Sequence, residues 1–128
     1  MREIRGQDAQ GSGHWLASRG SRKHLGIDYV CEEGEIICSD IDGTITKIGY
    51  PYNPNDKTKG HLRYVEVTDK NRSRVRYFYV KPVVKKGDKI DAGSPVGKSQ
   101  DLTRIYKGIT QHYHLEIIAY VNPEEYFK

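Results

Sequence analysis

A chain of 128 residues is long enough to close one hydrophobic core and too short for two. With 30% charged and 36% hydrophobic residues, its composition is that of a soluble globular domain, neither disordered nor membrane-embedded. No apolar run approaches the roughly 20 residues that cross a bilayer, so no membrane insertion is expected. The formal charge of +4 is spread over Arg19, Arg22 and Lys23 and again over Lys70, Arg72, Arg74 and Arg76, which fits solvated loops and strand faces. No aromatic-basic nucleic-acid module accompanies it, so nucleic acid is not an expected partner.

The opening residues, Met1 to Asp8, lack the apolar stretch of a secretory signal. Export by another route and excision from a longer protein are both compatible with that. Helical periodicity is almost absent further on, where short alternating runs are separated by Gly, Pro, Asp and Asn. Gly26 to Val30 reads as a strand, and Glu35 to Ser39 as another after the Glu33-Gly34 turn. Asp42-Gly43 is a turn feeding the alternating run Thr44 to Tyr50. Pro51 to Gly60, with its Pro, Asn, Asp and Gly, is a loop. Arg63 to Thr68 and Val75 to Val80 flank Asp69 to Ser73 as a hairpin, and Lys81 and Pro82 end a strand. Lys86-Gly87-Asp88 and Asp91-Ala92-Gly93 are turns around short strands. His112 to Tyr120 is the last strand, and Pro123 to Tyr126 a terminal turn. About eight or nine short strands without a long helix make an all-β domain, with no repeat or linker to divide residues 1–128.

Cys31 and Cys38 lie seven apart and outside any C-x-x-C pair, which excludes a structural cysteine-rich zinc site. One disulfide across a short hairpin and two free thiols are both compatible with the spacing.

Two groups of residues can carry chemistry. In His24-Leu-Gly-Ile-Asp28, imidazole and carboxylate are both good zinc ligands, and a spacing of four places them on one face of a strand. Gly26 shares that face and leaves room for a metal or substrate. In His112-Tyr-His114 the two imidazoles also point the same way, about 7 Å apart by strand rise, so one can bind metal while the other reaches a water on it. Glu116 is in phase with His114 and can orient an imidazole, or be solvated. His14 and His61 sit in loop-like contexts and read as surface residues, and Trp15 as a core or rim anchor. Tyr50 and Tyr52 either line a peptide groove or pack half-buried on strands.

The H-x-x-x-D of His24 and Asp28, followed by the late H-x-H of His112 and His114, resembles the M23 family of zinc metallopeptidases of the lysostaphin and LytM type. Lys86-Gly-Asp-Lys-Ile-Asp-Ala-Gly-Ser-Pro-Val-Gly97 is similar to that family's K-x-G-D-x-V-x-x-G-x-x-I-G stretch. The resemblance runs from about Gly11 to Phe127. Within the family the pattern is most similar to an animal chemotaxin branch, through Arg22 to Cys31, Phe78 to Pro82 and Tyr106 to Glu116. It implies an antiparallel β-sheet core with loops over a groove. It also implies one Zn²⁺ per chain held by His24, Asp28 and His114, with a fourth position open to water. His112 would be the general base for cleavage of peptidoglycan cross-link peptides via a metal-bound water.

The active members of that family carry a second catalytic histidine in a Y-x-H-L stretch, where this chain has Tyr77-Phe-Tyr79-Val. Tyr79 therefore stands at that position, as in the chemotaxin branch, which is regarded as a zinc-binding ligand and not a peptidase. A phenol can donate one hydrogen bond to a developing oxyanion but cannot act as an imidazolium. Ser12 stands where the chemotaxin branch has the cysteine expected to pair with Cys31. Three functions follow as expectations. The first is a monomeric cell-envelope, periplasmic or extracellular peptidase of bacterial or phage origin, with reduced activity. The second is a non-catalytic zinc-containing domain recognising a protein or glycan. The third is a lipoyl- or biotinyl-type carrier domain, for which Lys70 is the sole candidate for modification.

Overall fold

The computed structural model describes residues 2–6, 18–19, 22–23 and 26–118. His14, Trp15, His24, the last residues of the expected final strand and the terminal turn lie outside them. Eleven strands follow in chain order among the described residues: β1 (Ser18–Arg19), β2 (Arg22–Lys23), β3 (Ile27–Val30), β4 (Ile36–Cys38), β5 (Gly43–Gly49), β6 (Tyr64–Thr68), β7 (Arg74–Phe78), β8 (Val80–Pro82), β9 (Lys89–Ile90), β10 (Pro95–Ser99) and β11 (His112–Ile118). The protein is all-β, as its alternating sequence requires. A six-stranded antiparallel sheet has the order β3-β11-β7-β6-β5-β9, and a three-stranded sheet the order β4-β10-β8. β1 and β2 form a separate ribbon.

The period-2 pattern decides which face each side chain takes. In β7, Val75 and Tyr77 are buried while Arg74, Arg76 and Phe78 face the other way. Ile45, Val65, Val67 and Leu115 join them on the inner face, and Ile37, Val80 and Val96 approach from the small sheet to complete the core. Tyr77 brings one polar atom into this core, and it is satisfied: its hydroxyl donates to Asp40 Oδ2 at 2.8 Å and accepts from the Asp40 amide. Burial pushes the Tyr77 phenol well above its ordinary pKa. The Asp69–Ser73 hairpin forms as expected, with Asp69 Oδ1 accepting from the amides of Asn71 and Ser73 at 2.8 and 2.9 Å.

Two features depart from the sequence reading. The run Val75 to Val80 is not one strand, because the backbone breaks at Tyr79, whose φ is 65°. There the chain leaves the large sheet and enters the small one. The corner is fixed on both sides: the Tyr79 amide donates to Arg63 O at 2.8 Å, and its carbonyl accepts from the Gln100 amide at 2.9 Å. The second departure is at the start of the chain. Glu3 O accepts from the Val30 amide at 2.6 Å, the Arg5 amide donates to Asp28 O at 2.7 Å, and Ile4 bridges Tyr29. This short strap lengthens the large sheet beyond β3.

Candidate metal centre

The face of the large sheet turned away from the core carries the chemistry. β3 and β11 pair so that Asp28 stands opposite His114, and His112 opposite Val30. Directly opposed residues project on the same side of a sheet. Asp28 Oδ1 therefore lies 2.7 Å from His114 Nδ1, and Asp28 Oδ2 lies 3.4 Å from His112 Nε2. Asp28 is 2% exposed.

A buried carboxylate needs charged or hydrogen-bonded partners to remain ionised. Arg5 supplies them from the strap. Its Nε donates to Oδ2 at 3.0 Å, and its Nη2 lies 2.9 Å from the same oxygen, with Arg5 fully buried. Gly26, just before β3, makes the close approach of β11 possible. A Cβ there would meet the His114 ring at 2.8 Å and collide with the Leu115 carbonyl oxygen. The room its missing side chain leaves is thus taken by the His114 imidazole.

His112 is oriented by the backbone. Its Nδ1 is 2.8 Å from Thr110 O, so that nitrogen carries the proton and Nε2 is left as the basic one, turned toward Asp28. Burial lowers the His112 pKa, and Arg5 and His114 lower it further. The Asp28 charge and the Thr110 carbonyl oppose the shift without reversing it, so the imidazole is neutral at neutral pH.

Tyr79 reaches the same region from its corner. Its ring meets His112 edge-on at 5.9 Å between centroids. Burial raises its pKa well above the ordinary phenol value, with the neighbouring Tyr52 and Tyr106 phenols and Asp28 adding to the shift. The phenol is consequently a proton donor throughout the neutral range. Tyr52 belongs to the 51–60 loop and Tyr106 to the segment before β11; their hydroxyls are 2.8 Å apart. Along the open face, Phe78 meets His114 edge-on at 5.3 Å between centroids, and Tyr64 lies tilted by 30° against Phe78 at 5.1 Å. One step further, Glu66 accepts from Thr46 at 2.7 Å and from Arg76 at 2.7 Å.

Of the residues expected at the site, Asp28, His112, His114 and Tyr79 come together, and His24 lies outside the described residues. Among the described residues no group of three His, Cys, Asp or Glu side chains is arranged to hold a metal. The Asp28–His114 pair nevertheless fits zinc by its donor chemistry, a carboxylate oxygen facing an imidazole nitrogen across one gap. Glu116 pairs in register with Arg76, one step along the sheet from His114. Cys31 is buried and Cys38 exposed, both free, and His61 is exposed. Sequence reasoning missed Arg5, Tyr52 as a partner of Tyr106, and Tyr106 itself. Nothing in the segment Arg2-Glu-Ile-Arg5 marked the first.

The model of Peptidase family M23 matches residues 22–124. Leukocyte cell-derived chemotaxin-2 of Mus musculus is 32% identical over 124 residues, which is 97% of this chain and 79% of the relative. Among solved structures, the catalytic domain of the antimicrobial peptidase lysostaphin from Staphylococcus simulans superposes with a TM-score of 0.63 at 19% identity, covering 92% of this chain and 84% of that one. Against the longer lysostaphin solution structure the TM-score is 0.66 at 21% identity, and this chain spans half of its length. A zinc-containing peptidase from Vibrio cholerae gives 0.65 at 21% identity, covering 91% of this chain and 33% of that one. With a family model matched over most of its length and an antiparallel fold shared with these peptidases, the chain belongs to peptidase family M23.

Proposed function

We propose that this protein is a zinc metalloendopeptidase that cleaves the cross-link peptides of peptidoglycan. In this reading His24, Asp28 and His114 hold one zinc ion, and His112 and Tyr79 act on the substrate. The observation that carries it is the register of β3 on β11, which sets Asp28 against His114 and brings the basic nitrogen of His112 to the same carboxylate. Zinc, when bound, polarises a peptide carbonyl and makes water more acidic.

The chain's own residues supply the rest. His112, held neutral by burial and oriented through Thr110 O, takes a proton at Nε2 and returns it to the leaving amine. Tyr79, held protonated, donates a hydrogen bond to the oxygen where negative charge develops. A phenol in place of a charged imidazolium donor lowers the rate by about 10²–10³ without abolishing it. The positive φ of Tyr79 supports a functional role, because strained backbone fixed on both sides is concentrated at sites where a side chain must be aimed. The family match, with a fold shared by peptidases described as antimicrobial or zinc-containing, favours proteolysis, and the wall substrate and an extracellular or envelope location are part of this proposal.

The second reading is a non-catalytic zinc-containing domain that recognises a protein or glycan. The 32% identical chemotaxin favours it. Digestion of cell walls of several chemotypes by the metal-loaded protein, with mass analysis of the released fragments, separates the two. New amines at a defined peptide bond establish the peptidase. If no wall yields them, the binding domain stands in its place.

A further inference from the structure

Arg5 is the most buried charged residue described, and beyond balancing the charge of Asp28 it has no part in the roles above. It reaches the centre from outside the matched family segment, on the strap that pairs with β3. The two oxygens of Asp28 are thereby made unequal. Oδ2 meets Arg5 Nε and Nη2 at 3.0 and 2.9 Å and His112 Nε2 at 3.4 Å, while Oδ1 faces His114 Nδ1 at 2.7 Å. The guanidinium sits on the oxygen turned away from the other ligand.

We infer that Arg5 is a positioning residue of the metal centre: it fixes the Asp28 carboxylate so that Oδ1 alone is presented to the metal, and it couples metal occupancy to docking of the strap. This rests on Asp28 being a ligand in the reading above. Partners that hold a ligating side chain in one orientation commonly set metal affinity by 10–100-fold. A ligand oxygen already engaged by a guanidinium cannot swing into two-oxygen binding. The position is also kept by the strap itself, since the Arg5 amide donates to the Asp28 carbonyl. Backbone and side chain of one residue thus grip backbone and side chain of the other.

A counter-ion without a positioning role makes the opposite prediction. Such a group competes with the metal for Asp28, so its removal tightens zinc binding. Zinc affinity is therefore measured by chelator competition for the wild type, Arg5→Gln and Arg5→Lys, alongside the visible absorption of the cobalt-loaded forms. Arg5→Gln is expected to weaken zinc binding by about 10–100-fold and to change the cobalt spectrum. Arg5→Lys, which keeps the charge but not the fork, recovers only part of the affinity. Unchanged or tighter binding in Arg5→Gln, or full recovery in Arg5→Lys, overturns the inference.

Hydrogen exchange in the wild type covers the case in which Arg5→Gln does not fold. By reciprocity, zinc should slow exchange of the Arg5 and Val30 amides, which hold the strap, by about fivefold or more. Unchanged exchange at both, in protein shown to hold zinc, overturns the coupling. Wild type that takes up no zinc removes the metal reading itself and this inference with it, a result distinct from zinc uptake indifferent to Arg5.

Discussion

Asp28 Oδ1 lies 2.7 Å from His114 Nδ1 across the β3–β11 pair, a hydrogen bond between two side chains 86 residues apart in sequence. Without a metal these atoms share a proton; with one, both must turn their lone pairs to it. Metal binding therefore moves the imidazole proton to Nε2 and exchanges one link between the strands for another. Zinc should raise the unfolding temperature of the wild type, and chelation should lower it again. His114→Ala should abolish both responses, as read by thermal unfolding with and without added zinc and by metal content after dialysis.

His112 and Tyr79 should separate binding from turnover. His112→Ala removes the proton acceptor while leaving Asp28 and His114 in place, so it should retain zinc and lose wall hydrolysis. Tyr79→His should raise hydrolysis by about 10²-fold if the phenol is the limiting donor. Because the His112 pKa is lowered from 6.5, wild-type activity should persist as the pH falls through that value and decline below it, once Nε2 is protonated. A profile already falling above pH 6.5 would contradict the assignment of His112. Release of amine from purified walls, followed against pH, reads all three.

Gly26→Ala tests the approach of β3 to β11. The added Cβ meets the His114 ring and the Leu115 carbonyl oxygen, and backbone cannot yield as a flexible side chain can. The expected cost is about 1–3 kcal/mol of stability, with loss of zinc binding through displacement of His114. Chemical unfolding with a metal assay checks both. A variant as stable as the wild type that binds zinc normally would show that the pairing is looser than the geometry implies.

Glu66 should govern part of the acid stability. Burial alone would raise its pKa, but the Thr46 hydroxyl and the Arg76 guanidinium, with Arg74 beyond, outweigh it and hold the group below its ordinary 4.5. A folded-state pKa below the unfolded one stabilises the fold above the unfolded value, and that contribution is lost as pH falls through the folded value. Glu66→Gln should therefore be less stable than the wild type above pH 4.5, with the gap closing below it. Unfolding midpoints between pH 7 and pH 3 measure this; a gap independent of pH would place the loss in packing and not in charge.

Strand character and the phase of the chemical side chains were legible in the order of residues alone. The alternation of Val75 and Tyr77 with Arg74 and Arg76 sets which side is buried, and the spacing of His112 and His114 puts both on one face, because side chains alternate every residue along an extended chain. Family membership was legible for the same reason, since the H-x-x-x-D, H-x-H and turn motifs are each local. What meets across strands came from the folded chain. It broke the expected strand at Tyr79, because backbone bonds from Arg63 and to Gln100 hold a corner that no propensity encodes. It brought Arg5, 23 positions away, onto Asp28, and Tyr52 to Tyr106, 54 positions away. Contacts at such separations depend on strand register and loop path, which a local pattern of residues does not carry.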